Sequence, residues 1–263
     1  MILAFGGFDP TGGAGVLMDA RAVHAAGGYA AAVPSCLAVQ TTASFDRIVP
    51  LPREALDRSL ACAATAFRIR AVKVGMVGTR AAAEAILGFV AANPGLPVVV
   101  DPVLRSSAGV PLMARAALPA YRRLLRHAAI VTPNLPEAEK ILDRAIGAFR
   151  DAVAAARDIA AATGAAVVLK GGHFPWPGRR GTDILFEAGR VTLLSGAPFP
   201  RGRDPHGTGC ALAAAIAARV ALGDPFTEAV RRAKALVARL DASGFASAEG
   251  RWTLFEASSP GTI

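Results

Sequence analysis

The sequence predicts an α/β fold in which helices cover both faces of a mostly parallel sheet. Short apolar runs alternate with longer alanine-rich segments of helical length along the 263 residues, and this alternation is typical of βαβ units. Apolar residues make up 53% of the chain and charged residues 19%, which excludes a disordered protein. Because no linker, repeat or low-complexity segment interrupts the pattern, we predict one domain over residues 1–263.

The strands are predicted from short apolar runs. The run Pro-Val-Val-Val at 97–100 is the clearest, because β-branched residues favour strands. Two later runs flank Glu187-Ala188-Gly189, which predicts a hairpin. The predicted strands lie at 2–5, 29–33, 36–39, 45–49, 71–74, 97–100, 129–131, 166–169, 183–186 and 190–194.

The helices are predicted from the longer alanine-rich segments between these runs. Asn93-Pro94-Gly95 ends one of them, because asparagine and glycine favour helix C-termini and proline cannot continue a helix. The predicted helices lie at 14–26, 53–66, 79–92, 115–126, 137–142, 150–163, 208–222 and 226–241.

The charge balance is strongly basic, with 29 Lys and Arg against 20 Asp and Glu. Only four of these cations are lysine, and the arginines are spread along the chain rather than clustered. No stripe of cations with interleaved aromatic residues is present, so we predict no nucleic-acid partner. The abundance of alanine, glycine, arginine and proline instead indicates a compositional bias of the source genome.

Cysteine usage and hydropathy indicate the compartment. The three cysteines include no Cys-x-x-Cys pair, which argues against a disulfide framework or a zinc site. No uninterrupted apolar run reaches the roughly 18 residues of a membrane span, and the N-terminus lacks the charged region of a signal peptide. We therefore predict a cytoplasmic protein with no membrane partner.

Ligands of parallel sheets bind beyond the carboxyl ends of the strands, so we expect the functional residues in the segments that follow the predicted strands. The first runs from Gly6 to Gly15 and is followed by Asp19 inside a helix. Its glycines would let a ligand approach a helix N-terminus; a tight turn is the alternative. The Asp19 carboxylate either faces solvent or accepts hydrogen bonds from a ligand.

Three later segments carry further candidates. Asp101 follows a buried strand and could bind a metal or activate a hydroxyl, or could cap the next loop. Asn134 and Glu137 begin a helix with the spacing of a capping box, and the same pair could bind Mg²⁺ through water. Lys170, followed by two glycines, would provide a point charge for phosphate.

The strongest signal is the segment from Gly207 to Cys210, which opens a long apolar helix. The free backbone N–H groups of such a first turn form an anion hole. Cys210 lies in that turn, where the helix dipole is expected to lower the pKa of a thiol. The alternative is a small buried thiol at the start of a core helix.

These segments, in this order, resemble the ribokinase-like superfamily and, within it, the hydroxymethylpyrimidine/phosphomethylpyrimidine kinases. The motif HGTGC, residues 206–210, is fairly specific, since sugar kinases of the superfamily usually carry aspartate at the position of Cys210. The matching motifs are GGFDPTGGAG with Asp19, AVQTT, KVGM, DPV, TPNLPEAE, LKGGH and HGTGC, which extend to about residue 225.

The resemblance implies a three-layer αβα sandwich that uses ATP and Mg²⁺. It further implies phosphorylation of the hydroxymethyl group of 4-amino-5-hydroxymethyl-2-methylpyrimidine in thiamin biosynthesis and, in bifunctional members, of the monophosphate. We also expect a homodimer. By resemblance, the pyrimidine is bound by Gly7, Asp19, Gln40, Met76 and Val103, the nucleotide by Lys170, Asn134 and Asp101, and Mg²⁺ by Glu137 and Asn134, while Gly207, Thr208 and Gly209 form the anion hole and Cys210 is the general base.

Some positions depart from the family pattern. Leu17, Leu104 and Ser107 replace residues that are common in the family, Asp204-Pro205 precedes the last motif, and the usual C-terminal motif is missing. These changes spare the base and the pyrimidine contacts, so they bear on the second phosphorylation more than on the first. A pyridoxal kinase of the same branch and a non-catalytic pyrimidine-binding relative stay as alternatives.

Overall fold

The computed structural model describes residues 1–105, 109–200 and 205–255. Within these ranges, one nine-stranded sheet contains every predicted strand. Its strands are β1 Ile2–Phe8, β2 Ala30–Gln40, β3 Phe45–Pro50, β4 Ala71–Val74, β5 Val98–Val100, β6 Ile130–Val131, β7 Ala166–Leu169, β8 Thr182–Glu187 and β9 Arg190–Ser195.

The sheet is parallel in its centre and antiparallel at its edges. The strand order is β3-β2-β1-β4-β5-β6-β7-β8-β9. The six neighbouring strands β2, β1, β4, β5, β6 and β7 pair in parallel, whereas β3, β8 and β9 pair antiparallel. The carboxyl ends of the six parallel strands therefore meet at one edge. Strand β2 lies on one side of β1 and β4 on the other, so the direction of the strand order reverses at β1. Such a switch point opens a crevice for ligands.

Helices cover both faces of the sheet. They are α1 Gly15–Ala25, α2 Arg53–Ala66, α3 Arg80–Ala92, α4 Leu118–Leu125, α5 Leu135–Leu142, α6 Phe149–Thr163, α7 Thr208–Ala221 and α8 Phe226–Ala242. In β5, Val98 and Val100 join the apolar cluster beneath α2, α3 and α4, while Val99 joins the cluster beneath α1, α7 and α8, as the alternation of a strand requires. The three-layer αβα sandwich is thus confirmed.

Two predicted boundaries are wrong, and one small element was missed. The runs at 29–33 and 36–39 form one strand, β2, in which Pro34 is accommodated at a register shift opposite β1. The helix predicted at 115–126 is divided into a 3₁₀ turn, Arg115–Ala117, and α4, because Pro119 is tolerated only in the first turn of a helix. The small hairpin of β10 Phe245–Ala246 and β11 Trp252–Thr253 was not predicted, since two-residue strands show no periodicity.

Helix α7 is the central helix of its layer. Residues 211–218 are all buried, and six of these eight are alanine. Because alanine side chains are short, α1, α8 and the sheet approach α7 closely. This packing fixes the N-terminus of α7 at the carboxyl edge of the sheet. Within the described ranges, the structure contains no helix with the length and apolarity needed to cross a membrane.

Candidate active site

Two adjoining cavities lie at the carboxyl edge of the sheet. The first, of about 300 Å³, lies beyond the ends of β1, β2, β4 and β5. The second, of about 830 Å³, lies between the β8–β9 hairpin and α8. The two cavities share a border, which is lined by Asn134, Lys170, His173, Thr208 and Gly209. Two ligands, one in each cavity, would therefore come together at this border.

The N-terminal turn of α7 lies at this border. Ala211 is the first residue of the turn whose N–H donates within the helix, to Gly207 O at 2.9 Å, so the N–H groups before it are available to a ligand. Gly207 has φ 84°, and a Cβ there would lie 1.8 Å from the carbonyl oxygen of Gly13. A Cβ on Gly209 would lie 3.2 Å from Lys170 Nζ. Glycine is therefore required at Gly207, and the turn has the geometry of an anion-binding site.

Cys210 lines the first cavity, but its pKa differs from the expectation. Burial raises the pKa of the thiol to about 11; Lys73 and the Gly15 N–H act to lower it, and Asp19 and Asp101 raise it further. The prediction of a lowered pKa is wrong because the helix N-terminus does not offset the loss of water around the sulfur.

Asp19 is fully buried and lines neither cavity. Its carboxylate accepts a hydrogen bond from Lys73 Nζ at 2.7 Å, and Lys73, which had been assigned no role, lines the first cavity. Burial raises the pKa of Asp19 to about 6 although Lys73 acts to lower it. The expected contact between Asp19 and a ligand is at odds with this position, because Asp19 lies on the buried face of α1.

A second buried pair lies at the ends of β5 and β7. Lys170 Nζ donates to Asp101 Oδ1 at 2.7 Å, and the Thr132 hydroxyl donates to the same oxygen at 3.1 Å. Glu137 lies 3.7 Å from Lys170 Nζ. Burial raises the pKa of Glu137 to about 7; Lys170 lowers it and Asp101 raises it. Lys170 thus lies between two carboxylates at the border of the cavities.

Asn134 and Glu137 form the capping box of α5 that their spacing allows. Asn134 Oδ1 accepts the Glu137 N–H at 2.9 Å, and Glu137 Oε2 accepts the Asn134 N–H at 2.8 Å. In the described part of the chain, no group of three or more His, Cys, Asp or Glu side chains could hold a metal. The second Glu137 oxygen and the Asn134 amide nevertheless suit Mg²⁺, which keeps most of its waters and binds few carboxylates.

Four predicted pyrimidine-binding residues line the first cavity: Gly7, Gln40, Met76 and Val103. A Cβ on Gly7 would lie 2.2 Å from Met76 Cε, so the methionine covers the backbone at this point. The glycine-rich segment after β1 packs against backbone, since a Cβ on Gly15 would lie 2.1 Å from Gly7 O. The tight turn therefore accounts for that glycine.

Asp9 and His206 were given no role from the sequence. His206 Nε2 lies 3.1 Å from Asp9 Oδ2, and Asp9 also accepts the Ala14 N–H at 2.9 Å. Burial alone would raise the pKa of Asp9, but hydrogen bonds from His206, Gln40 and Thr11 hold it at about 2. Asp9 thus joins the turn after β1 to the entrance of α7. The sequence signal for this role of Asp9 was Asp9-Pro10-Thr11, which favours an Asx turn.

The rim of the first cavity consists of loop residues 41–44 and of Arg251 in the β10–β11 hairpin. The motif AVQTT includes Thr41 and Thr42, but the contact of this loop with the turn of the hairpin was not predicted. The Thr42 hydroxyl donates to Glu249 Oε2 at 2.7 Å and lies 2.8 Å from the Ser247 hydroxyl. Two of the departures from the family pattern, Ser107 and Asp204, lie outside the described residues.

Comparison with known proteins agrees with this geometry. The family model described as phosphomethylpyrimidine kinase matches residues 9–253. The chain belongs to the phosphomethylpyrimidine kinase family. It is therefore a phosphotransferase, as its border between two cavities suggests.

Relatives of this kinase family cover most of the chain. A hydroxymethylpyrimidine/phosphomethylpyrimidine kinase from Rhizobium meliloti is 36% identical over 235 residues, which is 89% of this chain and 87% of that protein. The thiamine biosynthesis multifunctional protein ThiED from Corynebacterium efficiens is 33% identical over 230 residues, 87% of this chain. The present chain spans only 31% of the length of that multifunctional protein.

Solved structures of kinases share the fold. A phosphomethylpyrimidine kinase from Clostridium difficile has a TM-score of 0.78 at 28% identity and covers 90% of this chain and 97% of its own. A pyridoxal kinase from Staphylococcus aureus, in complex with AMP-PCP and pyridoxal, has a TM-score of 0.85 at 26% identity and covers 96% of this chain and 91% of its own. Because that complex contains an ATP analogue, the comparison agrees with the use of ATP by this kinase family.

Proposed function

We propose that this kinase transfers the γ-phosphoryl group of ATP to the hydroxymethyl oxygen of 4-amino-5-hydroxymethyl-2-methylpyrimidine in thiamin biosynthesis. The observation that carries the proposal is the border of the two cavities, where the first turn of α7 and Lys170 converge. Phosphoryl transfer needs mainly positioning and charge neutralisation, and this border offers both. The names of the relatives support the choice of acceptor.

The acceptor would occupy the first cavity, against Gly7, Gln40, Met76 and Val103, and the nucleotide the second. The phosphates of the nucleotide would reach the border, where Lys170 and Asn134 lie and where Asp101 holds Lys170. Glu137 and Asn134 would hold Mg²⁺ through water, and the bound ion would neutralise phosphate oxygens. The backbone N–H groups of Thr208, Gly209 and Cys210 would donate hydrogen bonds to the phosphoryl oxygens and stabilise the charge that develops on the transferred group.

The transfer makes one O–P bond and breaks another. The hydroxymethyl oxygen attacks the γ-phosphorus, the bond from that phosphorus to the β–γ bridging oxygen breaks, and ADP leaves. In our proposal the hydroxyl proton goes to the sulfur of Cys210, which acts as general base. A thiol with a pKa of about 11 is mostly protonated near neutrality, so kcat should rise with pH as the thiolate fraction of Cys210 grows.

The test is ADP production by the purified protein with Mg²⁺, ATP and either the aminopyrimidine alcohol or pyridoxal. We expect turnover with the aminopyrimidine and little with pyridoxal. Turnover with pyridoxal alone would instead establish the second candidate, a pyridoxal kinase, which the likeness to the Staphylococcus aureus enzyme favours. Ligand binding seen as a thermal shift, with no ADP formed, would indicate a non-catalytic binding protein.

The second phosphorylation needs a separate assay. We propose that the monophosphate is also an acceptor, and isolated monophosphate with ATP should then give the diphosphate, detected by mass. Sedimentation of the purified protein would test the expected homodimer. The cytoplasmic location stays a prediction.

A further inference from the structure

The entrance of α7 packs against the turn after β1 through His206 and Gly207. Gly207 approaches this turn with its backbone, since a Cβ there would lie 1.8 Å from Gly13 O. The imidazole of His206 lies on the same turn, because a Cβ on Gly13 would come within 2.6 Å of His206 Cδ2. The position of the first turn of α7 therefore depends on how the His206 side chain is held.

Asp9 determines the orientation of this imidazole. The Asp9 side chain is 3% exposed, and its Oδ2 lies 3.1 Å from His206 Nε2. The same carboxylate accepts the N–H groups of Thr11 and Ala14 and the Thr11 hydroxyl, at 2.8 to 2.9 Å. Although burial acts to raise the pKa of Asp9, its hydrogen bonds hold it at about 2, so the carboxylate is ionised near neutrality and can only accept. Nε2 therefore carries the proton of this bond.

The backbone of His206 is held by a third segment, the β10–β11 hairpin. The His206 N–H donates to Trp252 O at 3.0 Å, and His206 forms a parallel bridge with Thr253 of β11. His206 thus connects the turn after β1, the hairpin and the start of α7. The next residue along the chain, Gly207, begins the turn whose free N–H groups would bind the transferred phosphoryl group.

We propose that His206 is a positioning residue for the anion-binding turn: its hydrogen bond to Asp9 holds the free N–H groups at the start of α7 where the transferred phosphoryl group forms. The imidazole itself transfers no proton. The effect on transfer to the pyrimidine rests on the proposed function. The effect on anion binding requires only that the chain is a phosphotransferase, so the two can be tested apart.

Glutamine and asparagine at position 206 separate positioning from proton transfer. The amide nitrogen of glutamine can take the position of Nε2, whereas asparagine is shorter and reaches only the position of Nδ1. His206→Gln should therefore keep the bond to Asp9, and His206→Asn should lose it. Neither amide can act as a general base. His127→Asn, which changes an exposed histidine after α4, is the matched control.

Binding of tetrafluoroaluminate in the presence of ADP and Mg²⁺ tests the anion site without turnover, because this anion mimics a phosphoryl group in transfer. Calorimetry should show binding at least about tenfold weaker in His206→Asn, as expected when one hydrogen bond to a charged group is lost. The affinity for ADP alone should not change. His206→Gln and His127→Asn should bind the anion as the parent does.

Steady-state kinetics with ATP and the aminopyrimidine give the second readout. The kcat of His206→Asn should fall by at least about tenfold, because displaced donors no longer match the charge that develops in the transition state. The KM of the acceptor should stay near that of the parent, and His206→Gln should retain most of kcat. The Tm of each variant is measured in parallel.

Gly13→Ala reaches the same bond by another route. The φ of Gly13 lies outside the left-handed region, and the nearest atom to the added Cβ is His206 Cδ2. The alanine should therefore displace the imidazole from Asp9 and weaken tetrafluoroaluminate binding without changing the affinity for ADP. If His206→Asn does not fold, judged by circular dichroism, Gly13→Ala and His206→Gln decide, since the first must weaken anion binding and the second must keep it.

Three outcomes would overturn the proposal. Loss of anion binding or kcat in His206→Gln as well would show that the imidazole itself is required. A lower Tm of His206→Asn with unchanged anion affinity would show that the bond only stabilises the fold, and unchanged affinity in both His206→Asn and Gly13→Ala would show that it has no role at the site. The expected anion pattern without transfer to the pyrimidine would refute the proposed function and leave the positioning role standing.

Discussion

The floor and the rim of the first cavity are held in different ways. The floor consists of strand ends, the first turn of α7 and two buried ion pairs, Lys73–Asp19 and Lys170–Asp101. The rim depends on hydrogen bonds between Thr42 and the hairpin turn, of which the one to Ser247 is part-buried and the one to Glu249 is exposed. Exposed polar contacts contribute little to stability, so the floor is rigid and the rim is easily changed. We therefore expect substitutions in the floor to affect kcat and those in the rim to affect KM.

The largest effect should come from the floor, with Cys210→Ala. If the thiol takes the acceptor's proton, kcat should fall by at least about 10²-fold, the low end for a general base. The KM of the acceptor should change little, because Gln40 and Met76 stay in place. Steady-state kinetics measure this, with Cys62→Ala as the control. A nearly full kcat would show that the backbone N–H groups alone carry the reaction.

Gly207→Ala should be the next most severe change. The φ of 84° costs alanine about 1–2 kcal/mol, and its Cβ would also meet Gly13 O at 1.8 Å. Gly223→Ala is a matched control, because Gly223 has φ 97° and open space around it. Chemical denaturation should show the larger loss for Gly207→Ala, and only that variant should lose kcat. Equal losses in the two variants would mean that the contact with Gly13 is unimportant.

Glu137→Gln should change how stability depends on pH. The folded pKa of about 7 lies above the ordinary 4.5, so the protonated form is favoured in the folded protein. That contribution is fully present below pH 4.5 and is lost as the pH rises through 7.

Glutamine keeps the capping box and cannot ionise. The variant should therefore gain on the parent between pH 4.5 and 7, by on the order of 1 to 3 kcal/mol. Denaturant titrations at a series of pH values measure the difference. Parallel curves for the two proteins would contradict the raised pKa.

The smallest effect should come from the rim, with Glu249→Ala. Loss of its bonds to Thr42 and Ala43 should raise the KM of the acceptor by up to about fivefold, as for an exposed charged contact, and leave kcat and the KM of ATP unchanged. Glu54→Ala, an exposed acid on α2, is the control. A fall in kcat would place the rim among the elements that position the reacting groups.

Most of the floor could be predicted because it follows strand ends. Parallel strands bring their carboxyl ends together, so Asp101, Lys170 and the turn before Cys210 could be placed at one edge without knowing any contact. Asp19 could not be placed in this way, since its direction depends on how α1 is rotated on the sheet. The pKa of Cys210 was wrong for a related reason, because burial is a property of the folded chain.

The contact across the rim could not be predicted, although the motif AVQTT includes Thr42. Thr42 and Glu249 are 207 positions apart, and no local pattern joins them. The hairpin of β10 and β11 that carries Glu249 has strands of only two residues. Elements of that length form through tertiary contacts and not through their own sequence preference.

The alanines of α7 restrict how this kinase can evolve. An alanine has no side-chain torsion, so the six buried alanines among residues 211–218 offer no alternative rotamers into which a neighbouring change could be absorbed. A larger side chain at Ala218, about 12 Å along the helix axis from Cys210, has to displace the whole helix and with it the anion-binding turn. A survey of substitutions should therefore find α7 intolerant of added volume along its buried length, and adaptation to a new acceptor should accumulate in the loops of the rim.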